Sequence, residues 1–367
     1  MDNTIKPAFD LNNVAVCLAC SNAYSVFACV TINSLIQNSS ADNNYDIIVM
    51  NTDISENNMD KIQSISDGYD NVSIRFFNVS EFIGNKTFYT WGPFTKFTYY
   101  RLLVPDIFEQ YRKIIYLDSD IIVNHDIAEL FNTDVNGWLM AAARDTHVMG
   151  RLCSPEINDV SHFIEDVGVD DGISYYQCGV LVYNIDECRK AFPRGYLLQE
   201  GSTRQLKWLD QDLINILAKG KIYTLENKWN VMIKNNPIID EDYLIEPYKS
   251  NYYTARENPY IVHYIGQSMP CYKPAADFYE LYWKYARTTP YYELMISMMI
   301  DVKIGRFKQS LVEEYQLAGK VEKSSSPKKK FKEKVIMPVV NLFFPKGSKR
   351  RQSLKRAYFK MRGWECE

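Results

Sequence analysis

Two carboxylates one residue apart, Asp118 and Asp120, interrupt an otherwise apolar run, Lys113-Ile114-Ile115-Tyr116-Leu117-Asp118-Ser119-Asp120-Ile121-Ile122-Val123. An unpaired buried carboxylate is costly, so such a pair finds a cation or takes up a proton. On an extended chain, positions i and i+2 face the same way. Both acids can therefore converge on one hard ion at the end of a strand, where open α/β sheets bind ligands. Mn2+ or Mg2+ bridging to a nucleotide diphosphate suits that pattern. A polar turn between two strands is the plain alternative, and the pair alone does not choose.

A sheet has to carry those acids. Val14-Ala15-Val16-Cys17-Leu18-Ala19 reads as a buried parallel strand. Ala28, Ile32, Leu35 and Ile36 follow at helical spacing, and Asp46–Met50 is the next strand. A polar helix to about Ser66 and a strand at Val72–Phe77 complete a β-α-β-α-β order, which argues for a doubly wound sheet. An aromatic-rich loop, Phe88 to Phe97, precedes a helix expected over Thr95–Phe108. Further strands are expected at Trp138–Ala143 and Gly179–Asn184, and a helix from Asp210 to Ala218 that Gly220 stops. Residues 146–173 read as irregular.

The chain has 367 residues, enough for one large domain or two modest ones, and 27 tyrosines, most of them explained by packing. Its net charge of −3 hides a segregation. Residues 323–367 hold 14 Lys and Arg against three acids, a net of +11, which leaves −14 for the rest. The reading is three segments: a catalytic domain over 1–274, a helical extension over 275–322 and a basic tail over 323–367. Cys17 and Cys20 form the one C-x-x-C, without a second pair, so reduced thiols are expected rather than zinc. The opening Met1-Asp2-Asn3-Thr4 carries no basic-then-apolar export segment, and no run approaches 18 apolar residues. The expected compartment is a reducing cytoplasm.

Five segments, in order, resemble one family: Tyr99-Tyr100-Arg101-Leu102, Tyr116-Leu117-Asp118-Ser119-Asp120, Tyr175-Tyr176-Gln177-Cys178-Gly179-Val180-Leu181, Leu209-Asp210-Gln211-Asp212-Leu213-Ile214-Asn215 and Ile261-Val262-His263-Tyr264-Ile265-Gly266. The chain resembles the family 8 glycosyltransferases of the bacterial lipopolysaccharide α-galactosyltransferase and glucosyltransferase type, over roughly residues 13–275. The resemblance implies an α/β GT-A fold, a retaining mechanism, a UDP-sugar donor and Mn2+ (or Mg2+).

It also implies roles. Asp118, Asp120 and His263 would hold the metal. Ala19, Ser21, Tyr24, Arg101, Asp118, Ser119, Asp145, Gln177, Cys178 and Gly266 would contact the donor, with Tyr24 stacked on uracil. Asp210 and Gln211 would stand at the reacting sugar. Each has a plainer reading: Arg101 as a surface helix cation, Asp145 as a loop-start acid, Tyr24 as core, Asp210 as a helix cap and His263 as a satisfied core histidine. Gln211 is a poor nucleophile, which agrees with same-face attack by the acceptor.

Three segments depart from the family pattern. Ser21 stands where an aspartate usually meets uracil, and Gln177 replaces an asparagine. Met269-Pro270-Cys271 follows Gly266 where Lys-Pro-Trp is usual, so the phosphate-binding lysine is missing, with Lys273 four residues on. The expected partners are a UDP-hexose (glucose or galactose) and a saccharide or lipid-linked glycan acceptor. The tail interleaves cations and aromatics (Lys328-Lys329-Lys330-Phe331-Lys332; Leu354-Lys355-Arg356-Ala357-Tyr358-Phe359-Lys360), which suits an anionic membrane surface rather than nucleic acid. Two other classes compete. A sugar-nucleotide nucleotidyltransferase would want a Gly-rich loop after the first strand, and Ala19–Tyr24 has no glycine. A nucleotide-binding homologue with little turnover is the other.

Overall fold

The computed structural model describes residues 5–92, 94–154, 160–233 and 243–305. Among the described residues, ten strands form two sheets: β1 (Asn13–Ala19), β2 (Asn44–Asn51), β3 (Val72–Asn78), β4 (Lys113–Leu117), β5 (Ile121–Val123), β6 (Met140–Arg144), β7 (Tyr176–Asn184), β8 (Ile222–Leu225), β9 (Val231–Met232) and β10 (Ile261–His263). The large sheet runs β3-β2-β1-β4-β7-β6-β8, and a small one runs β5-β10-β9.

The apolar runs explain the first half. β1 is buried from Val14 to Leu18 and pairs in parallel with both β2 and β4. Strands covered on both faces read as continuous apolar segments, and these do. β7 then enters antiparallel to β4 and β6, which makes the sheet mixed. Strand order reverses direction between β1 and β4, so a crevice opens at their carboxyl ends. Ala19 ends β1 and Asp118 follows β4 at that crevice. Antiparallel pairing of β10 with β5 puts His263 opposite Ile121, next to Asp120.

Several expectations change in detail. The helix expected over Thr95–Phe108 is a 3-10 segment, Lys96–Leu103, followed by one α turn, Val104–Ile107, that opens on Pro105. A period of three stacks Thr98 over Arg101 on one face. The stretch 146–173 is less irregular than its composition suggests. Asp145 accepts from the Val148 amide and caps a helix, Thr146–Cys153, while a π turn, Phe163–Val167, stops at Gly168 (φ 76°). Beyond residue 274, Tyr282, Tyr285 and Tyr291 bury into the same core as β1. Asn33, on the helix Ser25–Gln37, donates to the Tyr285 carbonyl at 2.8 Å. The compact unit runs to Val302, and those aromatics complete its core. A second unit starts at Lys303, and the tail expected over 323–367 lies outside the described residues.

Candidate active site

The crevice opens into a cavity of about 550 Å³. At its wall, Asp118, Asp120 and His263 each present one ligand atom, all within 4.8 Å of one another. His263 Nε2 lies 3.3 Å from Asp120 Oδ1 and 3.7 Å from Asp118 Oδ2. The other oxygen of each acid is already engaged. Asp118 Oδ1 accepts from Arg101 Nη2 at 2.9 Å and from the Tyr116 hydroxyl at 3.0 Å. Asp120 Oδ2 accepts the Gly266 amide at 2.6 Å. One free oxygen per acid thus faces the imidazole.

The ring is oriented from behind. His263 Nδ1 stands 3.1 Å from Asn230 Oδ1, and Asn230 Nδ2 donates to Gln177 Oε1 at 2.6 Å. With Nδ1–H given to Asn230, the Nε2 lone pair faces the acids, as a ligating histidine requires. Gln177 Oε1 also accepts the Gly179 amide at 2.6 Å. Gly179 leaves the space: a Cβ there would stand 2.3 Å from His263 Cε1 and 2.7 Å from Asp118 Oδ2. Neighbouring ligands of an octahedral hard ion, at about 2.1 Å each, stand ~3 Å apart. Two hard oxygens and an imidazole at these separations fit Mn2+ or Mg2+. Burial opposes charge on the His263 ring, yet Asp120 and then Asp118 hold its pKa above the ordinary histidine value. Asp120 is held below the usual carboxylate range despite burial, chiefly by His263.

Arg101 is buried, 6% exposed, and its charge is spent within the protein. It pairs with Asp118 and approaches Asp210 Oδ2 at 2.6 Å through Nε, whose hydrogen is directed at the Thr98 carbonyl. It also donates to the Cys178 carbonyl and lies over the Tyr116 ring at 4.8 Å. The surface-cation reading is therefore wrong, and the guanidinium serves two site carboxylates. Thr98 donates to Asp210 Oδ1 at 2.5 Å. Burial still raises Asp210 to about 6, against the pull of Arg101.

Gln211 bridges the far wall. Its Nε2 donates to Asp145 Oδ2 at 3.0 Å and to the Tyr175 hydroxyl at 3.3 Å, and its Oε1 accepts the Cys178 amide at 3.1 Å. Asp145, whose plainer reading is a loop-start acid, is both a helix cap and a cavity residue. Where β1 ends, Ser119 Oγ donates to the Ala19 carbonyl at 2.8 Å. Ser21 Oγ accepts the Tyr24 amide at 3.3 Å. Tyr24 lies edge-on to Phe27 but remains 36% exposed at the cavity wall, so it is no core residue.

Of the donor contacts expected, Ala19, Ser21, Tyr24, Arg101, Asp118, Ser119, Asp145, Gln177 and Gly266 line the cavity, as do Asp210 and Gln211. Cys178 does not. Its thiol packs in the core and its backbone groups are taken by Gln211 and Arg101, because strand alternation turns it away from Gln177. Met269 is buried in the core where the family's lysine would stand, and Lys273 is not at the cavity wall. The sequence reading passed over Asn230, Thr98 and the spacing role of Gly179. A polar Asn230 between Trp229 and Val231 was the available signal.

The profile of glycosyl transferase family 8 matches residues 15–272. A putative glycosyltransferase of Haemophilus influenzae is 26% identical over 226 residues, covering 60% of this chain and 64% of its own. General stress protein A of Bacillus subtilis is 27% identical over 186 residues (48% and 59%). The lipopolysaccharide 1,2-glucosyltransferase of Escherichia coli K12 is 22% identical over 218 residues (56% and 59%). The chain thus spans about three fifths of the length of these relatives. Among solved structures, the WbbM bifunctional glycosyltransferase superposes with a TM-score of 0.72 at 25% identity, over 80% of this chain and 53% of that one. The galactosyltransferase LgtC, solved with donor and acceptor sugar analogues, superposes at 0.56 and 21% identity, over 76% and 96%. The fold is GT-A, and the match over about seven tenths of its residues makes this chain a member of glycosyltransferase family 8.

Proposed function

We propose that the protein is a divalent-metal-dependent, retaining hexosyltransferase. It would move glucose or galactose from a UDP-sugar to a cell-surface saccharide or lipid-linked, lipopolysaccharide-type glycan. The observation that carries this reading is the convergence of Asp118 Oδ2, Asp120 Oδ1 and His263 Nε2 beneath the space left by Gly179. Bound there, Mn2+ or Mg2+ would supply Lewis-acid neutralisation of the departing UDP diphosphate.

The chain's own residues do the rest. Asn230 keeps Nε2 of His263 turned to the acids. The Gly266 amide and Arg101 hold the far oxygens of Asp120 and Asp118. Tyr24, Ser21 and Ala19 line the uridine end, with Ser119 tying that loop to the acids. Asp145, Asp210 and Gln211 face the hexose, where carboxylate and amide oxygens accept hydroxyl protons and stabilise an oxocarbenium-like centre. Gln211 is neutral, and Asp210 is committed to Thr98 and Arg101. Neither is disposed to attack, which supports same-face delivery of the acceptor.

The test is UDP release from UDP-glucose and UDP-galactose with Mn2+, compared with EDTA. Release that EDTA abolishes supports the reading, and none from any hexose donor sinks it. A product of inverted anomeric configuration by proton NMR overturns retention. Pyrophosphate release would instead mark a nucleotidyltransferase. UDP binding without turnover would mark a silent homologue, the reading that Met269 favours. No helix among the described residues is long and apolar enough to cross a membrane. A peripheral site on the cytoplasmic face of an anionic membrane, reached through residues 323–367, would bring a lipid-linked acceptor within reach.

A further inference from the structure

Behind Gln211 lies a buried polar cluster that the reaction scheme above does not use. Asp212 is fully buried, yet three donors from three places in the chain converge on it. The Trp208 amide and His162 Nε2 reach Oδ2 at 2.7 and 2.6 Å, and the Tyr175 hydroxyl reaches Oδ1 at 2.6 Å. His162 is itself buried, and its Nδ1 faces Asp166 Oδ2 at 2.8 Å. Asp166 is largely exposed.

Each link fixes the next. A phenol has one hydrogen, and Tyr175 gives it to Asp212. Its oxygen can then only accept, and it accepts from Gln211 Nε2. Together with Asp145 and the Cys178 amide, that contact fixes the Gln211 side chain, its nitrogen towards Tyr175 and Asp145 and its oxygen towards the Cys178 amide. The same carboxylate grips Trp208 N–H beside Leu209, whose φ of 52° is strained for a residue with a Cβ. That turn delivers Trp208 and Asp210 to the cavity wall. Burial pushes the Asp212 carboxyl above the ordinary range, and Tyr175, Trp208 and His162 pull it back.

We propose that His162 is a positioning residue. Held between Asp166 and Asp212, it keeps the Asp212 carboxylate in place as an acceptor, so that Tyr175 locks the amide of Gln211 and the turn at Leu209 stays formed. His162 touches no substrate and acts through Asp212 and Tyr175 alone. The inference rests on the hexosyltransferase reading for its rate effect but not for its geometry.

The test compares H162A, H162Q and Y175F with the wild type, each checked for a native melting transition. H162A and Y175F are expected to lower kcat for UDP release about tenfold, with KM for the donor and the Kd of UDP with Mn2+ within about twofold. H162Q keeps an N–H near the position of Nε2 and should recover most of the rate. In protein labelled with 15N-glutamine, the Gln211 side-chain amide (identified by its loss in Q211E) should exchange its protons about tenfold faster in H162A and Y175F. Unchanged exchange in a folded H162A overturns the proposal, and if H162A does not fold, unchanged exchange in Y175F does. Loss of UDP affinity in step with kcat also overturns it, since that is general collapse. If the wild type releases no UDP, the hexosyltransferase reading fails, and the exchange measurement still decides the positioning role.

Discussion

Asn230 Oδ1 sits 3.1 Å from His263 Nδ1, and this one contact settles which nitrogen of the imidazole faces Asp118 and Asp120. Both residues are buried, so water cannot replace the partner. Replacing Asn230 by Leu keeps a γ-branched side chain but removes the acceptor and frees the ring. Loss of such an outer partner typically costs about 10- to 100-fold in metal affinity. Titration of N230L with Mn2+ should show a loss of that order, with an unchanged far-ultraviolet spectrum.

At the proposed metal site, the proton and the metal would compete for His263. Its pKa is raised, so below the ordinary value of 6.5 the protonated ring pairs with the acids and stabilises the metal-free fold. That contribution is lost as pH rises through the raised pKa. Metal needs the neutral ring, so its apparent affinity should climb as pH passes the same range. Calorimetry in two buffers of different ionisation heat should register proton release on Mn2+ binding near neutral pH. Release of no protons would remove His263 from the ligand set.

Asp210 is raised to about 6 by burial, against an ordinary value of 3.8. A carboxyl raised on folding favours the native state when protonated, so its contribution is largest below pH 4 and lost as pH rises through 6. Two units correspond to about 3 kcal/mol at most. D210N carries no such liability. In EDTA, its melting temperature relative to wild type should rise between pH 4.5 and 7.5, while turnover falls by about 100-fold from loss of the carboxylate at the sugar.

Gly179 tests the metal site by sterics. A methyl group there meets His263 and Asp118 well inside contact distance. On the proposed function, Mn2+ with UDP should stabilise the wild type in a thermal melt, and Gly179→Ala should abolish that stabilisation. An intact stabilisation would show that neither side chain has to approach the strand.

The basic segment offers an independent check. Residues 323–367 carry a net of +11, and each cation near an anionic surface contributes about 1 kcal/mol. The full chain should pellet with phosphatidylglycerol-containing vesicles, and a chain ending at residue 322 should not. Equal pelleting would reject membrane docking.

Much of this was readable before folding is considered. The apolar runs of β1, β2 and β4 stand out because both faces of these strands are covered, so composition alone exposes them. β5, β9 and β10 are two or three residues long, too short for any period to show, and they exist through pairing with distant partners. The 3-10 form of Lys96–Leu103 escaped because its apolar spacing fits either helix. Residues 146–173 read as loop because Gly and acids there mask an Asp145 cap that only the folded backbone reveals.

The linear chain by itself determined the carboxylate couple, the order of its strands and the segments it shares with its family, since those depend on residue type and short-range spacing. Folding alone decided that the Gly266 amide would cap an acid 146 positions away. It also decided that Arg101 would be spent on two carboxylates, that Cys178 would face the core and that Asn230 would turn a histidine ring. The physical reason is the same in each case. A buried polar atom must find its partner across the sheet, and only the folded sheet determines which atoms meet.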